Sequence, residues 1–368
     1  MTKNIVIIGS GIIGLSIAYL LLLESKEEVK SITLISQHFP DDKPIDHEYT
    51  SPWAGAHFRP FPHSNDNYLN DKRESNYTRI SYDFFKNYLV KKHPESTVEI
   101  TRGFQFFENP PKSFTECADG INGKSLEGFK ILKNNDLLFK SKFGCQYFNF
   151  SLNAPKYLIF LQNQIFELSK KQSIPLFIKR MKLKSLHEVT KLFNNTDYIF
   201  NASGLGLQWD GTYDQNTYTV RGQTLLVEAP PHTKFENETH VYYGQNDHLT
   251  FVIKRPSGNN YDKPLYILGG TKEKDCFDIM PSKLATERIL DDARIIFPEL
   301  LINGEFKILN INVGFRPFRK GGSRVESETI SNVKIIHAYG FGSMGFEVSI
   351  GAARHAIQLM SSEFSPKL

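Results

Sequence analysis

Residues whose types and spacing point to chemistry lie at the two ends of this chain. Near the N-terminus, Gly9, Ser10, Gly11, Ile12, Ile13 and Gly14 follow an apolar run, Asn4 to Ile8. Such a strand–turn–helix reads as a dinucleotide site. Gly9 makes the tight turn, Gly11 lets a pyrophosphate approach the backbone, and Gly14 lets helix pack on strand. The helix N-terminus then presents free N–H groups to phosphates. Near the C-terminus, Ile335, Ile336, His337, Ala338 and Tyr339 run into Gly340, Gly342 and Gly345, with Gly351 and Ala353 beyond. Two glycine-rich devices at opposite ends suggest one extended cofactor held at both its ends. The acidic residue that usually ends the second strand of a dinucleotide unit is missing. Ser36, Gln37 and His38 stand there instead. Either Ser36 or Gln37 hydrogen-bonds a ribose hydroxyl, or all three are solvated loop residues.

The elements that must position these residues follow from periodicity. Residues 4–8 and 31–35 read as parallel strands joined by a helix from Gly14 to about Glu24, a βαβ unit. The polar stretch 37–76 reads mostly as loop. Amphipathic helices are expected over 77–92 and 156–169. Residues 197–204 read as strand then turn, and 223–228, 249–254 and 264–268 as strands. A turn is expected at Pro256 to Asn260, and a helix over 283–297, stopped by Pro298. Strands alternate with helices at both ends and cluster in the middle. The middle therefore reads as a more antiparallel sheet inserted into a dinucleotide-binding core.

Composition bounds the class. The 368 residues are 40% hydrophobic and 13% aromatic, enough for a large core, and the net charge of +4 is dispersed. No basic stripe marks a nucleic-acid partner. No apolar run reaches the roughly 20 residues of a membrane span, and no signal peptide is expected. Cys117, Cys145 and Cys276 are odd in number and widely spaced, which fits a reducing compartment and no metal site. The terminal Pro366, Lys367 and Leu368 approach the Ser-Lys-Leu address of peroxisomes. They read either as a variant signal for the peroxisomal import receptor or as a frayed tail, with the cytoplasm as the alternative location.

The segment 335–353 resembles the signature of the D-amino-acid oxidase family. Four more blocks resemble it in the same order: the N-terminal glycines; Ser51, Pro52, Trp53, Ala54, Gly55 and Ala56; Asn201 to Gly206 with Arg221, Gly222, Gln223 and Thr224; and Val313, Gly314, Phe315, Arg316 and Pro317. The resemblance spans essentially the whole chain, and its fungal branch looks nearest. It implies FAD as cofactor and oxidation of D-amino acids, with O2 reduced to hydrogen peroxide. In such enzymes the flavin carries the chemistry and the protein supplies orientation and electrostatics.

The resemblance also implies roles. Arg316 matches the arginine that pairs with the substrate carboxylate, a planar fork suited to bidentate binding. Ser343 matches a position beside the flavin and the substrate amine. Gly342, Gly345, Phe346 and Glu347 fall at the flavin end of the C-terminal helix, whose N-terminus would favour an anionic reduced flavin. Glu347 replaces a glutamine of some relatives; it is either a flavin neighbour or a solvated helix residue. Ser51, Gly55, His57, Leu183 and Ser203 fall at further flavin-contacting positions, Leu183 through its backbone. His57 is either a flavin contact or structural, and Trp53 and Phe61 are packing or site.

Two departures bear on the substrate. Where the family carries a tyrosine for the carboxylate, this chain has Phe251, which keeps the ring and loses a hydrogen bond worth roughly 1.5–3 kcal/mol. At the next such position stands Lys272, where the D-aspartate oxidase branch has arginine. Lys272 either meets an acidic substrate side chain, with Arg59 adding to it, or points to solvent.

The expected architecture is α/β: a Rossmann-like, glutathione-reductase-like FAD-binding domain (1–75, 155–215 and 310–368) interleaved with a largely antiparallel substrate domain (76–154 and 216–309). The expected function is FAD-dependent oxidative deamination of D-amino acids, tilted toward acidic or polar ones. Alternatives are a D-aspartate oxidase proper, a glycine- or sarcosine-type amine oxidase, or a flavin-binding paralogue with little oxidase activity. A homodimer is a further expectation.

Overall fold

The computed structural model describes residues 2–59, 68–115, 126–245, 248–256 and 263–361. Phe61, Cys117, most of the turn expected at Pro256 to Asn260, and the terminal Pro366 to Leu368 lie outside the described residues. The chain divides into two compact units. One comprises Met1–Pro52, Leu158–Tyr218 and Pro317–Leu368; the other comprises Trp53–Tyr157 and Thr219–Arg316.

The first unit is built on a six-stranded sheet. Its order is Arg324–Ile330, Val333–Tyr339, Tyr198–Asn201, Lys3–Ile8, Val29–Ser36, Leu176–Arg180. All neighbours are parallel except the first pair, a hairpin turning through Ser331 and Asn332 at positive φ. Asparagine tolerates that conformation better than most residues. Val6, Ile8, Ile35, Ile199 and Ile335 form a buried cluster with Leu183, Leu186, Val189 and Leu207. Strands covered on both faces read as continuous apolar runs, as residues 5–8 do. The helix Ile12–Glu24 is buried from Ile12 to Leu22. A helix apolar all round belongs inside a large core, and no helix among the described residues is long and apolar enough to cross a membrane.

The second unit is built on a nine-stranded sheet. Its order is Glu273–Lys274, Thr217–Glu228, Leu265–Gly269, Leu249–Lys254, Glu238–Tyr243, Glu99–Phe107, Phe143–Ser151, Lys130–Ile131, with Lys307–Arg319 also pairing Thr217–Glu228. Glu99–Phe107 and Glu238–Tyr243 are parallel, while the successive pairs from Glu273–Lys274 to Glu238–Tyr243, and from Glu99–Phe107 to Lys130–Ile131, are antiparallel. The helix Lys283–Ile296 is capped by Ser282, whose Oγ accepts from Ala285 N at 3.2 Å. It buries Ala285, Ile289, Ala293 and Ile296, one stripe at helical spacing. Ile289, Ala293 and Ile296 of that stripe share a core cluster with Phe106, Leu225, Val227, Tyr242, Val252, Tyr266 and Leu268.

Two expectations need correction. The N-terminal boundary falls after Pro52, not near 75. Residues beyond it are stitched to the antiparallel sheet: Phe58 N donates to Phe150 O at 3.1 Å and to Asn149 Oδ1 at 2.9 Å, and Leu152 N donates to Ala56 O at 3.1 Å. The stretch 37–76 is not loop to its end. A helix runs Tyr68–Phe84, widens to a π-turn over Phe85–Leu89 and closes at Val90–Lys92.

Candidate active site

The first unit brings both glycine devices together. Gly9 has φ +100°, where a Cβ would stand 2.4 Å from Ala202 O. A Cβ on Gly14 would stand 1.8 Å from Gly9 O, so the helix start rests directly on the turn and only glycine fits. Gly11 is the extended residue before the helix and supplies no side-chain cap; no acidic residue lies in the first turn. The first N–H groups of any helix lack intrahelical partners. Ile12 N donates to Ser51 Oγ at 3.1 Å, which draws the expected Ser51 to this site. Ile12 and Ile13 are buried. Ser10 is buried, donates through Oγ to His38 O, and accepts through its carbonyl from Tyr49 Oη at 2.6 Å. Tyr49 is a clamp that the sequence did not signal, since it lies in a polar stretch without periodicity. Ser36 ends its strand half-buried, with its carbonyl bonded to Met181 N at 2.9 Å. Gln37 is exposed. Leu183 is buried in the apolar cluster.

The C-terminal device meets the first one at Gly345, where a Cβ would lie 3.2 Å from Ile12 Cγ2. The turn before it is fixed by Gly340 N to Gly204 O at 3.1 Å and Gly342 N to Pro317 O at 2.8 Å. Gly345 opens the helix Gly345–Ser361, with Phe346 and Glu347 buried in its first turn. Glu347 is therefore not a solvated helix residue. A carboxylate there is favoured by the helix dipole. Ser343 is exposed in the turn.

Hydrogen bonds hold the strand beneath. Asn201 Nδ2 donates to His337 Nδ1 at 3.1 Å, and His337 Nε2 donates to Glu328 Oε1 at 2.8 Å, a pattern that requires the neutral ring. Burial lowers the His337 pKa, against Glu328. Ser203 Oγ is spent within its own turn, on Asn201 Oδ1 at 2.7 Å and Leu207 N at 2.8 Å. Asp214 accepts from Arg319 Nε at 2.8 Å and Tyr339 Oη at 2.9 Å. Burial opposes its charge, but these partners hold its pKa at about 2.

The second unit carries Arg316. Its guanidinium lies against Gly222, where a Cβ would stand 2.3 Å from Nη1 and Nη2. Nη1 donates to Thr271 O at 3.2 Å. No carboxylate among the described residues pairs with it. Burial pushes its pKa down to about 10, Arg59 pushes the same way, and Glu273 opposes them. It stays a cation at neutral pH, lodged where a carboxylate ligand would relieve an uncompensated charge.

Phe251 is buried beside Val241, Ile253 and Ile267, its Cζ against Gly269. Lys272 is exposed, one residue beyond the Thr271 carbonyl that Arg316 uses. Gly55 rests on Ile253, where a Cβ would stand 2.7 Å from Cδ1. His57 Nε2 is buried without a hydrogen-bond partner among the described residues, and burial, with Arg59, depresses the imidazole pKa far below its ordinary value. Arg255 is buried too, donating from Nη1 to Ala54 O at 2.9 Å, with its pKa pushed to about 10 by burial. It passed unnoticed in the sequence, because a lone arginine after a strand carries no local signal.

The chain is similar to known proteins in sequence and in fold. The family profile described as DAO, FAD dependent oxidoreductase, matches residues 176–359. A D-aspartate oxidase of Talaromyces thermophilus is 30% identical, over 98% of this chain and 95% of that protein. A D-amino-acid oxidase of Schizosaccharomyces pombe is 30% identical, over 97% of this chain and 96% of that protein. In fold, the chain is similar to L-proline dehydrogenase from P. horikoshii, with a TM-score of 0.70 at 17% identity over 98% of this chain and 93% of that one. The chain belongs to the D-amino-acid oxidase family of FAD-dependent oxidoreductases.

Proposed function

We propose that this protein oxidatively deaminates D-amino acids: D-amino acid, O2 and water become 2-oxo acid, ammonia and hydrogen peroxide. The residues of the first unit fit FAD. Gly9 and Gly14 let the helix start seat directly on the turn, a cradle that no residue with a Cβ could form, and the helix offers N–H groups with no acid in its first turn. Gly9 to Gly14, Ser51, Ser36, the Leu183 backbone and the helix start at Gly345 to Glu347 would hold the cofactor. When bound, FAD supplies the acceptor for the hydride leaving the substrate α-carbon.

Arg316 carries the proposal. A buried, unpaired, planar guanidinium suits a carboxylate better than any other ligand class. By fixing the carboxylate, Arg316 orients the α-carbon and limits rotation before reaction. Phe251 is a buried apolar ring in the same unit and offers no competing donor.

The test is hydrogen peroxide release by the FAD-loaded enzyme across paired D- and L-amino acids. D-enantiomers should react and L-enantiomers should not. Arg316→Lys keeps the charge and removes the fork; it should lower kcat/KM by about 10–100-fold, the value of one or two charged hydrogen bonds. An unchanged KM in that variant, or preference for L-enantiomers, would overturn the reading.

A second feature, Lys272, favours acidic substrates among the D-amino acids. Its ammonium is exposed and has no ion pair among the described residues, and its neighbour Thr271 holds Arg316.

A further inference from the structure

The block Arg221, Gly222, Gln223 and Thr224 is built into the second unit in an unusual way. Arg221 is 1% exposed, yet its whole guanidinium is engaged. Nε donates to Asp278 O at 2.7 Å, Nη2 to Met280 O at 2.7 Å and to Gln223 Oε1 at 3.3 Å, and Nη1 pairs with Glu273 Oε2. Gln223 continues the frame: its Nε2 donates to Ser282 O at 2.9 Å and Thr286 Oγ1 at 2.8 Å, and its Oε1 accepts from Ser282 N at 2.7 Å. Successive residues of a strand face opposite ways. Arg221 reaches one face, and the next residue, Gly222, lies under the guanidinium of Arg316 on the other.

Thr271 joins the two arginines. Its carbonyl accepts from Arg316 Nη1 at 3.2 Å, and its hydroxyl donates to Glu273 Oε2 at 3.3 Å. A carboxylate and an unpaired guanidinium thus flank one residue. A buried cation without a counter-ion draws any carboxylate that can reach it. Glu273 is the carboxylate whose charge is felt at Arg316, and it is committed to Arg221 instead.

We infer that Arg221 is a positioning residue that holds Glu273 away from Arg316 and so keeps Arg316 available to the substrate carboxylate. The inference rests on Arg316 as the carboxylate-binding group. It assigns the Arg221–Glu273 pair a part in substrate affinity beyond bracing the loop from Thr271 to Ser282. Glu273 released from Arg221 becomes an internal competitor of the substrate. Glu273 removed altogether takes a negative charge away from the site.

The two ends of one ion pair therefore have opposite effects. In the FAD-loaded enzyme, KM and kcat are measured with the best D-amino acid of the panel, and inhibition with pyruvate as a non-reacting carboxylate. Arg221→Met should raise KM and the pyruvate inhibition constant about tenfold, with kcat within about threefold of the native value. Glu273→Gln should leave both constants unchanged or lower them. Arg221→Met with Glu273→Gln should return both to within about threefold of native. A pair that only braces the loop gives the opposite pattern: Glu273→Gln raises KM as Arg221→Met does, and the double variant is no better than Arg221→Met. Either result overturns the inference. Should Arg221→Met fail to fold, the sign of the Glu273→Gln effect alone decides. Arg316→Lys runs in parallel: an unchanged KM there signals failure of the carboxylate reading itself, whatever the ion pair does.

Discussion

Arg316 owes its position to residues far from it in sequence. The glycine beneath it, the Thr271 carbonyl at its tip and the Arg221–Glu273 pair lie on two separate stretches, 221–222 and 271–273. The arginine itself was legible, because Gly314, Phe315 and Pro317 around it form a recognisable block. Its surroundings were not, because a hydrogen bond across 45 residues leaves no local pattern. Lys272 shows the reverse: its identity was conspicuous, and its exposed place decides how much it contributes. An exposed ammonium acts as a screened point charge. Lys272→Ala should therefore lower kcat/KM for D-Asp and D-Glu by only about three- to tenfold at low salt, less at high salt, and leave D-Ala and D-Met unchanged. Steady-state rates on these four substrates at two ionic strengths check this. Equal losses on all four would remove the acidic preference.

At the scale of elements, the strand–turn–helix at the N-terminus was fully legible. Its glycines have steric reasons, and its helix is apolar throughout. Gly14→Ala must place a methyl where Gly9 O already stands, so the turn has to open. We expect at least about a tenfold loss in FAD affinity with secondary structure retained. Flavin content after purification, with a circular dichroism spectrum, measures both. Native flavin content would contradict the cradle. Other elements escaped notice for definable reasons. Phe143–Ser151 is buried on both faces along most of its length, so no alternation marks it as a strand. The helix from Tyr68 opens on Asn70, Asp71, Lys72 and Arg73, which read as loop, although Glu74 and Ser75 after them are buried. The domain boundary leaves no sequence signal for a related cause: backbone bonds, not side-chain pattern, tie Ala56 and Phe58 to the antiparallel sheet.

At the scale of the whole molecule, the two units carry one tryptophan each, Trp209 in the first and Trp53 in the second, out of two in the chain. Trp53→Phe leaves Trp209 as the sole indole reporter of the first unit. FAD at about a hundred times its Kd stabilises what it binds by ~2.7 kcal/mol, or roughly 5–10 °C for a unit of this size. The Trp209 unfolding midpoint in this variant should rise by that amount when FAD is added. An unmoved midpoint would mean that the first unit does not hold the cofactor. That unit is assembled from three separated stretches of chain, the last beginning at Pro317. The hairpin Arg324–Tyr339 and the helix from Gly345 therefore leave the ribosome after every other part of the unit. Until they do, the glycine turn at Gly9 lacks its partner helix, and the strand Tyr198–Asn201 has an open edge. Translation at about 5–20 residues per second makes this a wait of many seconds. During it the nascent chain exposes apolar strands that FAD is not yet able to protect. Chaperone demand should thus be set by the length of chain between Ser203 and Pro317, and cofactor loading should be a late, post-synthetic event.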